Sequence, residues 1–568
     1  MIKNMKKEEI TGAEALLRSL SAEAVEDVFG YPGGSIIPLY NALYDYRDRL
    51  NHILVRHEQG AVHAAQGYAR ASGRVGVCFA TAGPGATNLI TGIADAQMDS
   101  TPIVCITAQV AKDNLGTHFF QEADTISITN PITKWSYEIT HAREVAPVIA
   151  KAFHIARSGR PGPVLVSITR NAQTECTEYE YVPHVPRPEL EKYRSEYTEA
   201  FLSEAAETIN TAARPMIIVG QGVTLAGAED DVRALAEAGN IPVVSTLLGI
   251  SAFPTGHRLF HGNVGMHGNY APNLMTQNAD VILAIGMRFS DRVTGNVARY
   301  APHAKIIHVE IDRAEIGKTV RVDIPLIGDA REAAQALTPR IENRDRADWH
   351  RFIEGLKAAD TSRRTALRDG YLGMAAAVDA VARLGSGEAL VVTDVGQHQM
   401  FSALYSRFVR PRSMITSGGL GTMGFGLPAA IGAKVARPDR EVVLFVGDGG
   451  LQMSLQELGT VMQSDVGLKI VLLNNSFLGM VRQWQEMFFD RRYSFVEMAN
   501  PDFLQIAAAY GIPARRVESR CELDSAVGQM LAAKGAYFLE VVVENEENVF
   551  PMIPAGAALD DILMQQKT

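Results

Sequence analysis

Apolar runs of four to six residues recur along the chain, each bounded by polar or turn-forming positions. Val75–Ala80, Pro102–Thr107, Val164–Ile168, Met216–Val219, Pro242–Ser245, Val281–Ile285, Ile306–Ile311, Leu390–Thr393, Val442–Val446, Leu468–Leu473 and Phe538–Val543 read as buried strands. Between them lie stretches with helical spacing. Ala13–Phe29 is one, with Leu17, Leu20, Ala24, Val25 and Val28 on a single face. The alternation predicts an α/β protein of parallel sheets joined by crossover helices. Two stretches interrupt it: Thr177–Thr198, rich in Glu, Tyr and Pro, and Glu342–Gly373, rich in Arg and Asp. They divide the chain into domains at 1–180, 195–345 and 370–568. The first and third share a plan, a Gly-rich turn followed by parallel-strand patterns.

Composition agrees. A chain of 568 residues has room for about three to four domains. Apolar residues at 47% and charged residues at 21% suit an enzyme with large cores. The net charge of −10, without a long basic run, argues against a nucleic-acid partner. Cys78, Cys105, Cys176 and Cys521 show no CxxC spacing, and a reducing compartment is expected. No apolar run approaches the ~18 residues of a membrane span. The first nine residues have the character of neither a signal nor a transit peptide.

The richest chemistry lies at two consecutive strand ends. Val442–Val446 leads into Gly447-Asp448-Gly449-Gly450, and Leu468–Leu473 into Asn474-Asn475, with Asn475 27 residues after Asp448. In a parallel sheet these ends lie side by side, where open α/β sheets bind ligands. Asp448 and Asn475 can supply two oxygens to a hard cation such as Mg²⁺, which completes its octahedron with phosphate oxygens and water. The glycines let backbone N–H groups approach a diphosphate. The order of acid, glycines, strand and paired amides resembles the thiamine-diphosphate (ThDP) signature. The plainer alternative is a loop with turn glycines and two capping asparagines.

Other candidates carry two readings each. Glu58 follows the short strand His52–Val55 and opens a helix containing Ala64, Ala65 and Tyr68. The helix dipole favours an acid there whatever its role. Beside a thiamine signature, Glu58 can also serve the aminopyrimidine N1′, so that the 4′-imino nitrogen takes the proton from thiazolium C2. Met216–Val219 runs into Gly220-Gln221-Gly222, a partial dinucleotide fingerprint whose third glycine position is Leu225. Arg288 and Arg292 follow a buried strand four residues apart and can meet phosphate or carboxylate bidentately, or form surface ion pairs. Trp484, with Val481 and Phe488, fits core packing or a pocket wall.

Longer motifs identify a family. Gly30-Tyr31-Pro32-Gly33-Gly34, Arg56-His57-Glu58-Gln59-Gly60-Ala61, Ala82-Gly83-Pro84-Gly85-Ala86-Thr87-Asn88 and Phe120-Gln121-Glu122-Ala123-Asp124 resemble the pyrimidine-binding domain of acetohydroxyacid (acetolactate) synthases. Val395-Gly396-Gln397-His398-Gln399-Met400, Gly418–Gly426 and Gly479-Met480-Val481-Arg482-Gln483-Trp484 resemble their diphosphate-binding domain. The resemblance runs from about residue 10 to 563.

The resemblance implies a middle, Rossmann-like FAD-binding domain and a full set of roles. Glu58, Gln121, Arg292 and Trp484 form the catalytic group. Glu58 activates the cofactor, Arg292 takes the carboxylate of the second 2-keto acid, and Trp484 favours 2-oxobutyrate over pyruvate. Tyr31, Pro84, Asn88, Val395, Gly396, Gln397, His398, Gly421, Gly449, Gly450, Gly479 and Met480 contact ThDP, and Met423 holds it bent. Asp448, Asn475 and the backbone carbonyl of Phe477 bind Mg²⁺. Arg160, Thr246, Leu247, Gly265, Met266, His267, Gly286, Arg288, Glu310 and Asp329 contact FAD. The implied reaction decarboxylates pyruvate and transfers the hydroxyethyl carbanion to pyruvate or 2-oxobutyrate, giving 2-acetolactate or 2-aceto-2-hydroxybutyrate for valine, leucine and isoleucine. The family further implies a cytoplasmic homodimer or tetramer, active sites at the chain interface and a separate regulatory small subunit. Two stretches and two single positions depart from its usual motifs: Gly116-Thr117-His118-Phe119-Phe120-Gln121, Val166-Ser167-Ile168-Thr169-Arg170-Asn171, Ser290, and Gly450 in the GDGG turn.

Overall fold

The structure is a computed structural model that describes residues 8–184 and 195–565. Most of the N-terminal segment read for targeting (1–7) and part of the Thr177–Thr198 stretch (185–194) lie outside them.

Three six-stranded sheets, each wholly parallel, carry the fold. The first runs Asn51–Leu54, Asp27–Gly30, Gly76–Ala80, Ile103–Gln109, Pro163–Thr169, Trp135–Ile139. The third runs Met414–Ile415, Leu390–Thr393, Val442–Gly447, Lys469–Asn474, Tyr537–Val542, Ala514–Val517. Numbered within each sheet, both follow the order 2-1-3-4-6-5, which gives the shared plan a topological form. The middle sheet runs Phe260–Asn263, Val243–Ser245, Pro215–Val219, Val281–Ile285, Lys305–Glu310, Ile324–Ile327. Its order, 3-2-1-4-5-6, is that of dinucleotide-binding sheets. Central strands such as Ile103–Gln109 and Pro163–Thr169 are buried at every position, because helices cover both faces.

The structure departs from the apolar pattern in places. The helix expected over Ala13–Phe29 spans Gly12–Ala22. Ala24 takes a φ of +57°, which ends it, and Val28 and Phe29 belong to the strand Asp27–Gly30. Trp135–Ile139 is an edge strand with mostly half-buried side chains, so it lacks an apolar run. Cys176–Glu178 pairs antiparallel with Glu9–Thr11. The Glu342–Gly373 stretch contains the helix Ala347–Ala359, which buries Trp349 and Ile353 against the middle sheet's core.

Within one chain the first and third sheets meet through the helices Glu58–Ser72 and Gly426–Ala436. They approach closely because glycine faces backbone on both sides. A Cβ at Gly67 would lie 1.9 Å from Ala429 O, and one at Gly432 would lie 1.8 Å from Ala64 O. Beside them the buried Arg70 is paired with Asp99 at 2.7 Å, and Asp99 accepts from Gly418 N and Gly419 N. Gly67→Ala tests this contact. Alanine gains roughly 1 kcal/mol of helix propensity over glycine, but overpacking against a fixed carbonyl costs about 1–3 kcal/mol. The net change is a loss, read as a lower denaturant midpoint at unchanged m-value.

Candidate active site

In the third sheet the strand order reverses between Leu390–Thr393 and Val442–Gly447, and a crevice opens beyond their carboxyl ends. Asp394-Val395-Gly396 follow the first of these strands and Asp448 the second. Asn475 follows the neighbouring strand Lys469–Asn474. Asp448 is buried, and burial pushes its carboxyl above the ordinary range. Hydrogen bonds from Asn500 and from the Gly449 and Ser476 backbone oppose that shift. Asn475 Oδ1 accepts from Phe477 N at 3.2 Å, while its buried Nδ2 has no partner among the described residues.

Two further polar atoms in this crevice are orphaned. Gln397 Nε2 donates to Glu547 O at 2.7 Å and to Gln483 Oε1 at 2.9 Å, which leaves Gln397 Oε1 unpartnered. His398 Nε2 is buried without a partner, and burial lowers its pKa to about 4, so the ring is neutral. Glycines let these groups crowd together. A Cβ at Gly479 would lie 2.2 Å from Gln397 Oε1 and 2.7 Å from Asn475 Nδ2, and one at Gly450 would lie 2.4 Å from Asp394 Oδ1. Buried polar atoms normally find partners. A ring of three unsatisfied ones around a glycine cradle fits a ligand rich in charged oxygens and its counter-cation. Among the described residues no group of three or more His, Cys, Asp or Glu side chains could hold a metal. A cation here would therefore rely on one carboxylate, an amide oxygen and a backbone carbonyl, a set that suits Mg²⁺.

A Cβ at Gly449 would lie 2.6 Å from Leu478, 3.3 Å from Met498 and 3.6 Å from Met423. The Met423 loop is tied down by Asp394, which accepts from Val395 N at 2.8 Å, Gly424 N at 3.2 Å and Gly426 N at 2.8 Å. Burial raises the Asp394 pKa to about 6 against those three donors. Sequence reasoning missed Asp394, although its place directly after a buried strand was a usable signal.

In the first sheet Glu58 opens the helix Glu58–Ser72 and is buried. Asn88 Nδ2 donates to its Oε2 at 2.9 Å, and Gly85 packs beside its Oε1. Gln121, at a φ of +64°, folds against Gly83, next to the exposed Pro84. Tyr31, Phe119 and Phe120 stand in solvent on the same rim, Phe120 with 81% of its surface exposed. Among the described residues no hydrogen bond or ion pair joins Glu58 to the crevice of the third sheet.

One cavity of about 800 Å³ joins the middle sheet to the third. At its middle-sheet end Gly222 N donates to Gly286 O at 2.8 Å, closing the turns at the switch between Pro215–Val219 and Val281–Ile285. Arg160, Thr246, Leu247, Met266, His267, Gly286, Arg288, Glu310 and Asp329 all line it. Gly265 stands behind this wall, its N–H held by Asn273 Oδ1. His267 Nδ1 is buried and unpartnered, and burial, with the nearby charge of Arg292, lowers its pKa to about 4. Burial raises the pKa of Glu310 to about 7. Arg160 is held by Asp312 at 3.1 Å and Glu315 at 3.0 Å. The volume of the cavity, its glycine turns and the acid at a strand end fit a dinucleotide.

The same cavity is also lined by Arg292, whose Nη1 lies 3.6 Å from Met266 Sδ, and by Val395, Gly421, Met480 and Trp484 from the region of the third sheet. Arg292 is exposed, 3.7 Å from Asp291, with no bidentate partner among the described residues. Trp484 is half-buried, and its helix neighbours Val481 and Phe488 are exposed, so it is a wall residue rather than core.

Family comparisons agree with this architecture. Models for thiamine pyrophosphate enzymes match the N-terminal TPP binding domain at residues 10–128, the central domain at 202–337 and the C-terminal TPP binding domain at 394–541. Fold and matches define a thiamine-diphosphate-dependent enzyme. The chain is 41% identical over 575 residues to acetolactate synthase isozyme 3 large subunit of Escherichia coli, covering 98% of this chain and 99% of that one. It is 42% identical over 568 residues to acetolactate synthase of Mycobacterium bovis (98% and 91% covered). It is also 42% identical over 563 residues to the probable acetolactate synthase large subunit of Methanocaldococcus jannaschii (97% and 95%). The chain belongs to the acetolactate synthase large-subunit family.

Proposed function

We propose that this chain condenses two 2-keto acids. It decarboxylates pyruvate and transfers the two-carbon unit to a second pyruvate or to 2-oxobutyrate, giving 2-acetolactate or 2-aceto-2-hydroxybutyrate on the route to branched-chain amino acids. The observation that carries the reading is the shared cavity. Arg292 and Trp484 face it together with Val395, Gly421 and Met480 from the rim of the diphosphate crevice. ThDP supplies the carbanion chemistry when bound. Asp448, Asn475 and the Phe477 carbonyl would hold its Mg²⁺; Gly449, Gly450, Gly479, Gln397 and His398 would receive the diphosphate; Met423 would pack against the cofactor. Glu58, steadied by Asn88, holds the proton exchanged with the aminopyrimidine. Arg292 binds the second substrate's carboxylate. The middle-domain lining of the cavity would hold FAD.

In this reading residues 1–180 form the pyrimidine domain, 195–345 the flavin domain and 370–568 the diphosphate domain. Glu58 and Asp448 belong to separate parts of one chain, and aromatic side chains are exposed on the Glu58 rim. Both features support a homodimer or tetramer whose active sites combine two chains. The Escherichia coli relative is a large subunit, which supports a separate small regulatory partner. No helix among the described residues is long and apolar enough to cross a membrane. Four unpaired cysteines support a reducing, cytoplasmic location.

The test is product identification after incubation with pyruvate, 2-oxobutyrate, ThDP, Mg²⁺ and FAD. Hydroxyacid products support the reading. Acetate would indicate a flavin-reducing oxidase, acetaldehyde a simple decarboxylase, and no turnover an inactive paralogue. A variant sharpens it. Trp484→Leu should shift competition between the two acceptors toward acetolactate, because the indole can cover the extra methyl of 2-oxobutyrate. One methylene in an apolar pocket is worth about 1–3 kcal/mol. An unchanged ratio of the two hydroxyacids would remove Trp484 from acceptor selection.

A further inference from the structure

Asn500 lies in the loop before the helix Phe503–Ala509, outside every motif named above. Its amide makes three hydrogen bonds. One nitrogen, Nδ2, donates to Asp448 Oδ2 at 2.7 Å and to Asn474 Oδ1 at 3.0 Å, and Asn500 Oδ1 accepts from Gln452 Nε2 at 3.0 Å. The two acceptors belong to the two strand ends that flank the cation crevice: Asp448 opens the helix Asp448–Gln452 directly after Val442–Gly447, and Asn474 is the last residue of Lys469–Asn474. A single half-buried side chain therefore staples both strand ends.

The orientation of Asn474 is itself fixed. Asn474 Nδ2 donates to Glu540 Oε1 at 2.8 Å, which turns its Oδ1 toward Asn500; Ser476 N donates to the same oxygen at 3.1 Å. Glu540 is anchored in turn by Arg516 at 2.7 Å, and Arg516 by Asp502 at 3.0 Å, two residues beyond Asn500. Ser476 sits in the left-handed region at a φ of +56°, in the turn that presents Asn475 and the Phe477 carbonyl. Loss of the staple would free both that turn and the Asp448 carboxylate to rotate.

We propose that Asn500 is a positioning residue for the cation site. It holds Asp448 by Oδ2, so that Oδ1 is the oxygen offered to the metal, and it fixes the distance between Asp448 and the turn carrying Asn475 and Phe477. The inference rests on the Mg²⁺–ThDP reading of that crevice. Partners that orient a metal ligand contribute about 10–100-fold in metal affinity.

The test uses the full chain with ThDP and Mn²⁺ as a paramagnetic stand-in for Mg²⁺. Affinity and the bound-ion spectrum are followed by electron paramagnetic resonance. Asn500→Leu keeps most of the volume and removes the amide; it should weaken Mn²⁺ binding by about 10–100-fold and change the bound-ion spectrum. Asn500→Gln keeps a donor on a longer arm and should restore part of both. Circular dichroism checks folding, and Asn500→Ser replaces Asn500→Leu if the latter does not fold. Wild-type affinity and spectrum in Asn500→Leu would overturn the proposal, as would equal impairment in the Leu and Gln variants, which marks packing alone. Undiminished Mn²⁺ binding in Asp448→Ala would overturn the cation site itself, and separates failure of the underlying reading from failure of this one.

Discussion

Glu58→Gln should leave ThDP affinity near that of the wild-type protein and slow hydrogen–deuterium exchange at thiazolium C2 by ~10²–10⁴-fold, the usual cost of removing a general acid–base group. The shape of the side chain is kept. A glutamine carbonyl can still accept the 2.9 Å hydrogen bond from Asn88 Nδ2, so the helix Glu58–Ser72 and its packing on the third sheet are undisturbed. What is lost is the carboxylate that can hold and return a proton. Calorimetry measures the first half of the expectation and NMR of C2 exchange the second. Wild-type exchange in the variant would remove Glu58 from the mechanism.

Asp448→Ala should abolish tight, Mg²⁺-dependent ThDP binding. Asp448 is the only charged side chain among the proposed ligands; Asn475 and the Phe477 carbonyl are neutral. The loss should exceed the ~10–100-fold expected for an outer partner such as Asn500. Removing the carboxylate also breaks the 2.7 Å bond from Asn500 Nδ2, so Asn500 no longer ties the two strand ends together. Calorimetric titration with ThDP, with and without Mg²⁺, reads the effect directly. Metal-dependent affinity equal to the wild type would mean that the cation lies elsewhere.

The sequence disclosed what is local and periodic. The strand ends that carry Asp448 and Asn475 were legible because each follows an apolar run, interrupted only at Lys469, and parallel topology then places them side by side. Glu58 was legible because a strand, a short turn and a helix precede and follow it in order. The common 2-1-3-4-6-5 order of the first and third sheets was visible only as a shared plan, since edge strands such as Trp135–Ile139 and Met414–Ile415 are short or half-buried and carry little pattern. The strand Asp27–Gly30 was hidden because Val25 and Val28 continue the helical face of Gly12–Ala22 by coincidence of spacing. Asn500 gave no local signal. Its function comes from two contacts, 52 and 26 residues back along the chain, that only the folded sheet brings together. The ends of the 800 Å³ cavity, set by residues from separate sheets, were equally invisible to periodicity.

The central claim is condensation, and the ratio of pyruvate consumed to CO₂ released tests it most directly. With pyruvate as sole substrate and ThDP, Mg²⁺ and FAD supplied, joining two keto acids with loss of one carboxyl group requires two pyruvates consumed for each CO₂, with acetolactate equal to the CO₂. One pyruvate consumed per CO₂, with acetaldehyde or acetate in place of acetolactate, would contradict the account.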